Sequence, residues 1–137
     1  MISYQTSTPG APLVKVESNN PVPTGTEVLL KTVACGVCHS DIHLHEGVFD
    51  LGGGKQLDVG QEGLTLGHEI FGEVLAVGPE AQGISIGDRR VVFPWIGCGE
   101  CPDCNRGEEQ LCTPGRALGI VKPGGFSDHV LVPHSRY

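Results

Sequence analysis

The chain has 137 residues, with nine Lys and Arg against sixteen Asp and Glu, for a formal net charge of −7. That length fits one domain with a core of its own, and the acidic balance excludes an electrostatic surface for nucleic acid or anionic membrane. Gly (21) and Pro (10) are abundant while aromatics make up 5%, which favours short strands and turns over long helices.

In chain order, residues 13–16 and 28–34 read as strands, the second entered through the turn-rich stretch 21–25. Residues 40–46 form a short helical segment with Asp41 in its first turn and Gly47 as its stop. Residues 47–66 hold six glycines and no apolar period, so a loop is expected there. Strands follow at 70–77 and 89–93, separated by turn material, and a last strand at 126–132. The result is a small, mainly β barrel or sandwich with no alternating βαβ pattern.

The first thirteen residues lack a charged start and apolar run, so no export signal is expected. The longest apolar stretch, near residues 91–96, is far short of the roughly 20 residues that span a bilayer. A soluble, cytoplasmic protein is the expectation. Thiols stay reduced in that compartment, so closely spaced cysteines point to metal before disulfides.

Cys98, Cys101, Cys104 and Cys112 give the spacing C-x2-C-x2-C-x7-C. Four thiolates complete a tetrahedral Zn²⁺ and leave no open position, the pattern of a structural site. The segment has no apolar period, so its ordering must come largely from the metal. A bacterial [4Fe–4S] arrangement is disfavoured because only one such run exists and its Pro lies inside it. Disulfides are the plainer alternative.

A second constellation surrounds Cys38, at the mouth of the short helix where the helix dipole favours a thiolate. Thirty residues on, His68 and Glu69 offer an imidazole and a carboxylate. Catalytic zinc takes three protein ligands and keeps a fourth position open. Cys35 to His39 also matches the C-x-x-C-H haem pattern. The only methionine is Met1, which leaves a c-type haem without its usual distal ligand. A thioredoxin-like dithiol would need a βαβ context. Cys35 is read as a small packed residue without a ligand role.

Together, Gly36-Val37-Cys38-His39-Ser40-Asp41 with His43, Gly67-His68-Glu69, Gly87-Asp88-Arg89 and the four-cysteine lobe closely resemble the catalytic domain of zinc-containing medium-chain alcohol dehydrogenases. The resemblance implies a GroES-like, partly open β-barrel over residues 1–137, with a structural-zinc lobe at 95–115. It implies catalytic-zinc ligation by Cys38 and His68, with Glu69 behind the ion, and Asp41 fixing the His68 tautomer. Ser40 would hydrogen-bond the alcohol, His43 would carry the proton towards solvent, and His39 would contact the cofactor pyrophosphate. Cys98, Cys101, Cys104 and Cys112 would hold the structural zinc. The implied reaction oxidises a small alcohol to an aldehyde or ketone with hydride transfer to NAD or NADP. The implied partners exclude nucleic acid and membrane, and the complete enzyme is expected to be a homo-oligomer.

Each residue has a plainer role beside this one. Asp41 could serve only the helix N-terminus, Ser40 could be only an N-cap, and His43 an ordinary exposed helix residue. His45, His129 and His134 carry no motif. Gly67, Gly72 and Gly78 are read as backbone-geometry positions.

The resemblance also implies a further Cys ligand and a Rossmann domain beyond Tyr137. The catalytic zinc site is therefore expected to be partial or empty here, and this piece alone inactive. Gly52-Gly53-Gly54-Lys55 lacks the strand before and the Ser/Thr after that a phosphate loop needs, and is read as flexible loop. The alternatives are a non-catalytic, zinc-stabilised binding module and a sibling polyol or formaldehyde dehydrogenase.

Overall fold

The computed structural model describes residues 1–113 and 115–137. Its strands are β1 (Ile2–Gln5), β2 (Val14–Glu17), β3 (Val28–Gly36), β4 (Val48–Gly52), β5 (Lys55–Asp58), β6 (Glu69–Val77), β7 (Arg89–Val91) and β8 (His129–Val132). Helix α1 covers His39–Glu46, α2 covers Pro102–Asn105, and a 3-10 turn covers Glu109–Leu111. Among the described residues no helix is long and apolar enough to cross a membrane.

A four-stranded sheet runs in the order β7-β6-β3-β8, with antiparallel pairs β1-β2 and β4-β5 beside it. The Tyr4 amide donates to the Phe126 carbonyl and the Thr6 amide to that of Leu64, both at 2.9 Å, so β1 lies against the segments entering β6 and β8. The fold is mainly β and partly open, as expected: the described sheets do not close on themselves.

Alternation along the strands decides where the core sits. Val28 and Leu30 of β3 pair with Val132 and Val130 of β8, and Leu30 faces Val74 of β6 on its other side. These five, with Ile70, Val92, Ile96 and Leu118, form the main core. A second cluster of Leu44, Leu64 and Leu66 lies under α1 and takes Phe49 and Phe126 at its margin. Ile70 is fully buried, at 0% exposure. Ile70→Ala is expected to cost about 2–5 kcal/mol of stability, read as a lower denaturant midpoint; a cost well under about 1 kcal/mol would show that the sheet closes over the gap.

The structure corrects three sequence expectations. Residues 47–66 are not structureless: β4 and β5 form a hairpin there. Its central Gly53 and Gly54 have φ of 60° and 76°, the two left-handed residues a tight primed turn requires. Every residue of β5 is exposed, so no buried face imposes the alternation by which strands are recognised. The Gly-Gly pair was the available signal, and it marks a turn where a flexible loop was expected. β1 was not anticipated, and β8 starts at His129 rather than three residues earlier because Phe126 and Asp128 bond separately to Leu66 and Ile2.

Candidate metal centres and active site

The last rung of the β3-β6 ladder pairs Gly36 with Glu69. Cys38 lies two residues beyond one strand and His68 one residue before the other, so residues thirty apart in sequence meet at one sheet end. Donor atoms of Cys38, His68 and Glu69 all lie within 4.8 Å of one another. A thiolate, an imidazole and a carboxylate at that separation fit Zn²⁺ with a fourth position left over.

Asp41 clamps the two segments together. It is 2% exposed, its Oδ2 accepts the Cys38 amide at 2.9 Å and its Oδ1 accepts the Gly67 amide at 3.0 Å. Cys38 is the N-cap of α1, so the capping role considered for Ser40 falls to Cys38, and Ser40 sits inside the first turn. The His68 Nδ1 lies 3.4 Å from Asp41 Oδ1. It is buried and has no hydrogen-bond partner among the described residues. The expected hydrogen bond from His68 to Asp41 is therefore not made in this structure, and Asp41 stands beside the ring as a close carboxylate.

Gly67 makes the approach possible. Its φ is 91°, and a Cβ there would stand 2.5 Å from the Phe126 ring and 2.8 Å from Cys35 Sγ. Cys35 packs against the main core, and burial pushes its thiol up, consistent with a packed rather than reactive residue. His39 and His43 lie a helical turn apart, with parallel rings 4.6 Å between centroids. His39 is exposed and His43 half-buried.

The four-cysteine lobe is a second centre. Donor atoms of Cys98, Cys101, Cys104 and Cys112 also lie within 4.8 Å of one another, and Cys98, Cys101 and Cys104 are not joined in disulfides. Backbone amides aim at the sulfurs: Cys98 N at Cys112 Sγ (3.3 Å), Cys101 N at Cys98 Sγ (3.3 Å) and Cys104 N at Cys101 Sγ (3.5 Å). The amides of Glu100 and Cys101 hold the Cys98 thiol down at about 6. Cys112 accepts the Cys98 amide, which favours its thiolate, yet burial and the crowding thiols outweigh that and push it up to about 12. Sulfurs this crowded cannot all ionise without a cation between them, the condition a four-thiolate zinc site relieves.

Sequence reasoning missed Glu109, which no motif marks. Its Oε2 accepts the Gly97 amide at 3.0 Å and the Tyr137 hydroxyl, and its Oε1 meets Arg136 at 2.9 Å. The Tyr137 hydrogen bond foremost, with the Gly97 amide and the Arg136 charge, holds the Glu109 carboxyl below its ordinary value. A depressed carboxylate contributes stability above its unfolded value of about 4.3 and loses it as pH falls through the lower folded value. Glu109→Gln is therefore expected to flatten the acid limb of the stability profile below about pH 4.3, measured by thermal melts across pH. An unchanged limb would assign acid sensitivity elsewhere.

A cavity of about 600 Å³ opens beside β8, lined among others by Ile96, Leu118, Arg116, Lys122 and His129. No ligating side chain of either centre borders it, so size alone does not mark the chemistry here.

Residues 24–137 match the family model described as the alcohol dehydrogenase GroES-like domain. An NAD-dependent alcohol dehydrogenase of Saccharolobus solfataricus is 45% identical over 131 residues, covering 93% of this chain and 37% of that protein. An L-threonine 3-dehydrogenase of Pyrococcus horikoshii is 32% identical over 133 residues, covering 97% and 37%. The cobalt- and zinc-bound thermostable alcohol dehydrogenase from Pyrobaculum aerophilum superposes with a TM-score of 0.80 at 33% identity, covering 97% of this chain and 39% of that one. The chain thus spans a little over a third of the relatives it matches.

Proposed function

The chain belongs to the alcohol dehydrogenase GroES-like domain family, and from that premise we propose that it is the zinc-binding catalytic domain of an NAD(P)-dependent dehydrogenase that oxidises a small alcohol to its aldehyde or ketone. The carrying observation is the convergence of Cys38, His68 and Glu69 within 4.8 Å, with Ser40 and His43 on the helix that Cys38 caps.

In this proposal Cys38 and His68 would hold a catalytic zinc with Glu69 behind the ion, close enough to serve as a further donor, and Asp41 would orient the His68 ring. Zinc held there supplies Lewis acidity that lowers the pKa of an alcohol by several units. Ser40 accepts a hydrogen bond from the alcohol hydroxyl and hands its proton on. His43, one turn along α1, takes the proton towards solvent. The hydride acceptor is a nicotinamide, whose ring carries the redox step. His39, exposed at the helix start, is assigned to the cofactor pyrophosphate. Cys98, Cys101, Cys104 and Cys112 hold a second, structural zinc.

The test is turnover by the full-length, zinc-loaded protein with NAD or NADP and a panel of short, secondary and polyhydric alcohols. Reduction of the nicotinamide with at least one alcohol is expected, and the preferred alcohol separates a simple alcohol dehydrogenase from a polyol dehydrogenase. No reduction with any of them, in protein carrying two zinc ions per chain, would overturn the proposal.

A further inference from the structure

We propose that Phe49 is a positioning residue for His43, holding its imidazole where it can pass a proton; this rests on the proton-carrier role assigned to His43 above. A histidine on a helix surface samples several χ1 wells and a broad χ2, whereas proton transfer needs one nitrogen at one place. His43 has two ring neighbours. The His39 ring is stacked on it at 4.6 Å and 16°, and the Phe49 ring lies 4.8 Å away at 43°. His39 is itself exposed and cannot anchor the pair. Phe49 can, because it packs on the Leu44, Leu64 and Leu66 cluster.

The chain path explains why a residue of the hairpin reaches back to the helix. Gly47 caps α1 in the left-handed region, φ 79°, with its amide on the His43 carbonyl, and the backbone reverses there. A Cβ at Gly47 would press on Pro9 at 3.0 Å. The Val59 amide donates to the Gly47 carbonyl at 2.9 Å, so both strands of the hairpin are tied to the helix end. Two residues past the reversal, Phe49 lands against His43. The hairpin is thereby coupled to the proton path through one ring.

Steady-state kinetics on the full-length, zinc-loaded enzyme test this with Phe49→Leu, Phe49→Tyr, His43→Gln and the double variant Phe49→Leu/His43→Gln. Leucine keeps the apolar contact with the core cluster and removes the ring, so folding and zinc content are retained. Phe49→Leu is expected to lower kcat about tenfold with KM little changed, and Phe49→Tyr to restore it. The decisive readout is non-additivity: in the His43→Gln background, Phe49→Leu is expected to cost nothing further. Equal cost in both backgrounds, or no rescue by tyrosine, overturns the positioning role while leaving His43 as the proton carrier. A His43→Gln enzyme with undiminished kcat removes the proton-carrier role and this inference with it.

Discussion

Cys38→Ala in the full-length protein is expected to lower bound zinc from two ions per chain to one and to reduce alcohol turnover by roughly a thousandfold or more. The size follows from Lewis-acid stabilisation worth several kcal/mol, each 1.36 kcal/mol or so being a factor of ten. The fold is expected to survive. Cys38 contributes to the helix N-terminus mainly through its backbone, whose amide is held by Asp41 Oδ2 at 2.9 Å, and alanine keeps that amide. Elemental analysis and a thermal melt on one preparation therefore separate lost chemistry from lost structure. The non-catalytic alternative makes the opposite forecast: one zinc before the substitution and one after. His68→Ala should repeat the metal loss. Asp41→Asn should act more gently on metal affinity, about 10–100-fold, because an amide oxygen can still accept one of the two backbone N–H groups.

Most of this centre was legible in the sequence because motifs specify local backbone. Cys38 at a helix mouth, Asp41 in its first turn and Gly47 as its stop are readable from neighbours a few residues apart. The meeting of Cys38 with His68 is not local. It depends on the Gly36-Glu69 rung, and β3 and β6 both read as strands without their register being visible. Spacing and resemblance supplied the pairing that periodicity could not. Phe49 and Glu109 escaped for a related reason: each acts through tertiary contact, Phe49 on a histidine ring and Glu109 on Gly97 and the Arg136-Tyr137 segment. The hairpin was missed because β5 buries nothing, so its order lies in backbone pairing and a two-glycine turn. The expected hydrogen bond from His68 to Asp41 is not made. Asp41 Oδ1 already accepts the Gly67 amide at 3.0 Å and stands 3.4 Å from His68 Nδ1.

Cys101→Ser is expected to release the other zinc and unfold the lobe while sparing both the sheet and the Cys38 centre. Cys101 caps α2, and its sulfur takes the Cys104 amide, so one substitution removes a ligand and a cap together. No apolar packing orders the segment: between Cys98 and Leu111 no side chain is buried, and its polar tie to the rest is Glu109 on Gly97, Arg136 and Tyr137. Structural zinc sites in small zinc-finger domains contribute about 10–16 kcal/mol of apparent binding free energy. The damage should stop at the neck of the loop. There the Arg116 amide bonds the Ile96 carbonyl at 2.9 Å and the Leu118 amide bonds the Pro94 carbonyl at 3.1 Å, and Ile96 and Leu118 belong to the main core. Limited proteolysis should cut within residues 97–115, and hydrogen exchange should rise there alone. One zinc should remain, bound at Cys38. Melting of the whole chain with the lobe would show that the neck does not insulate the core, and loss of both ions would show that the two centres are one cooperative unit.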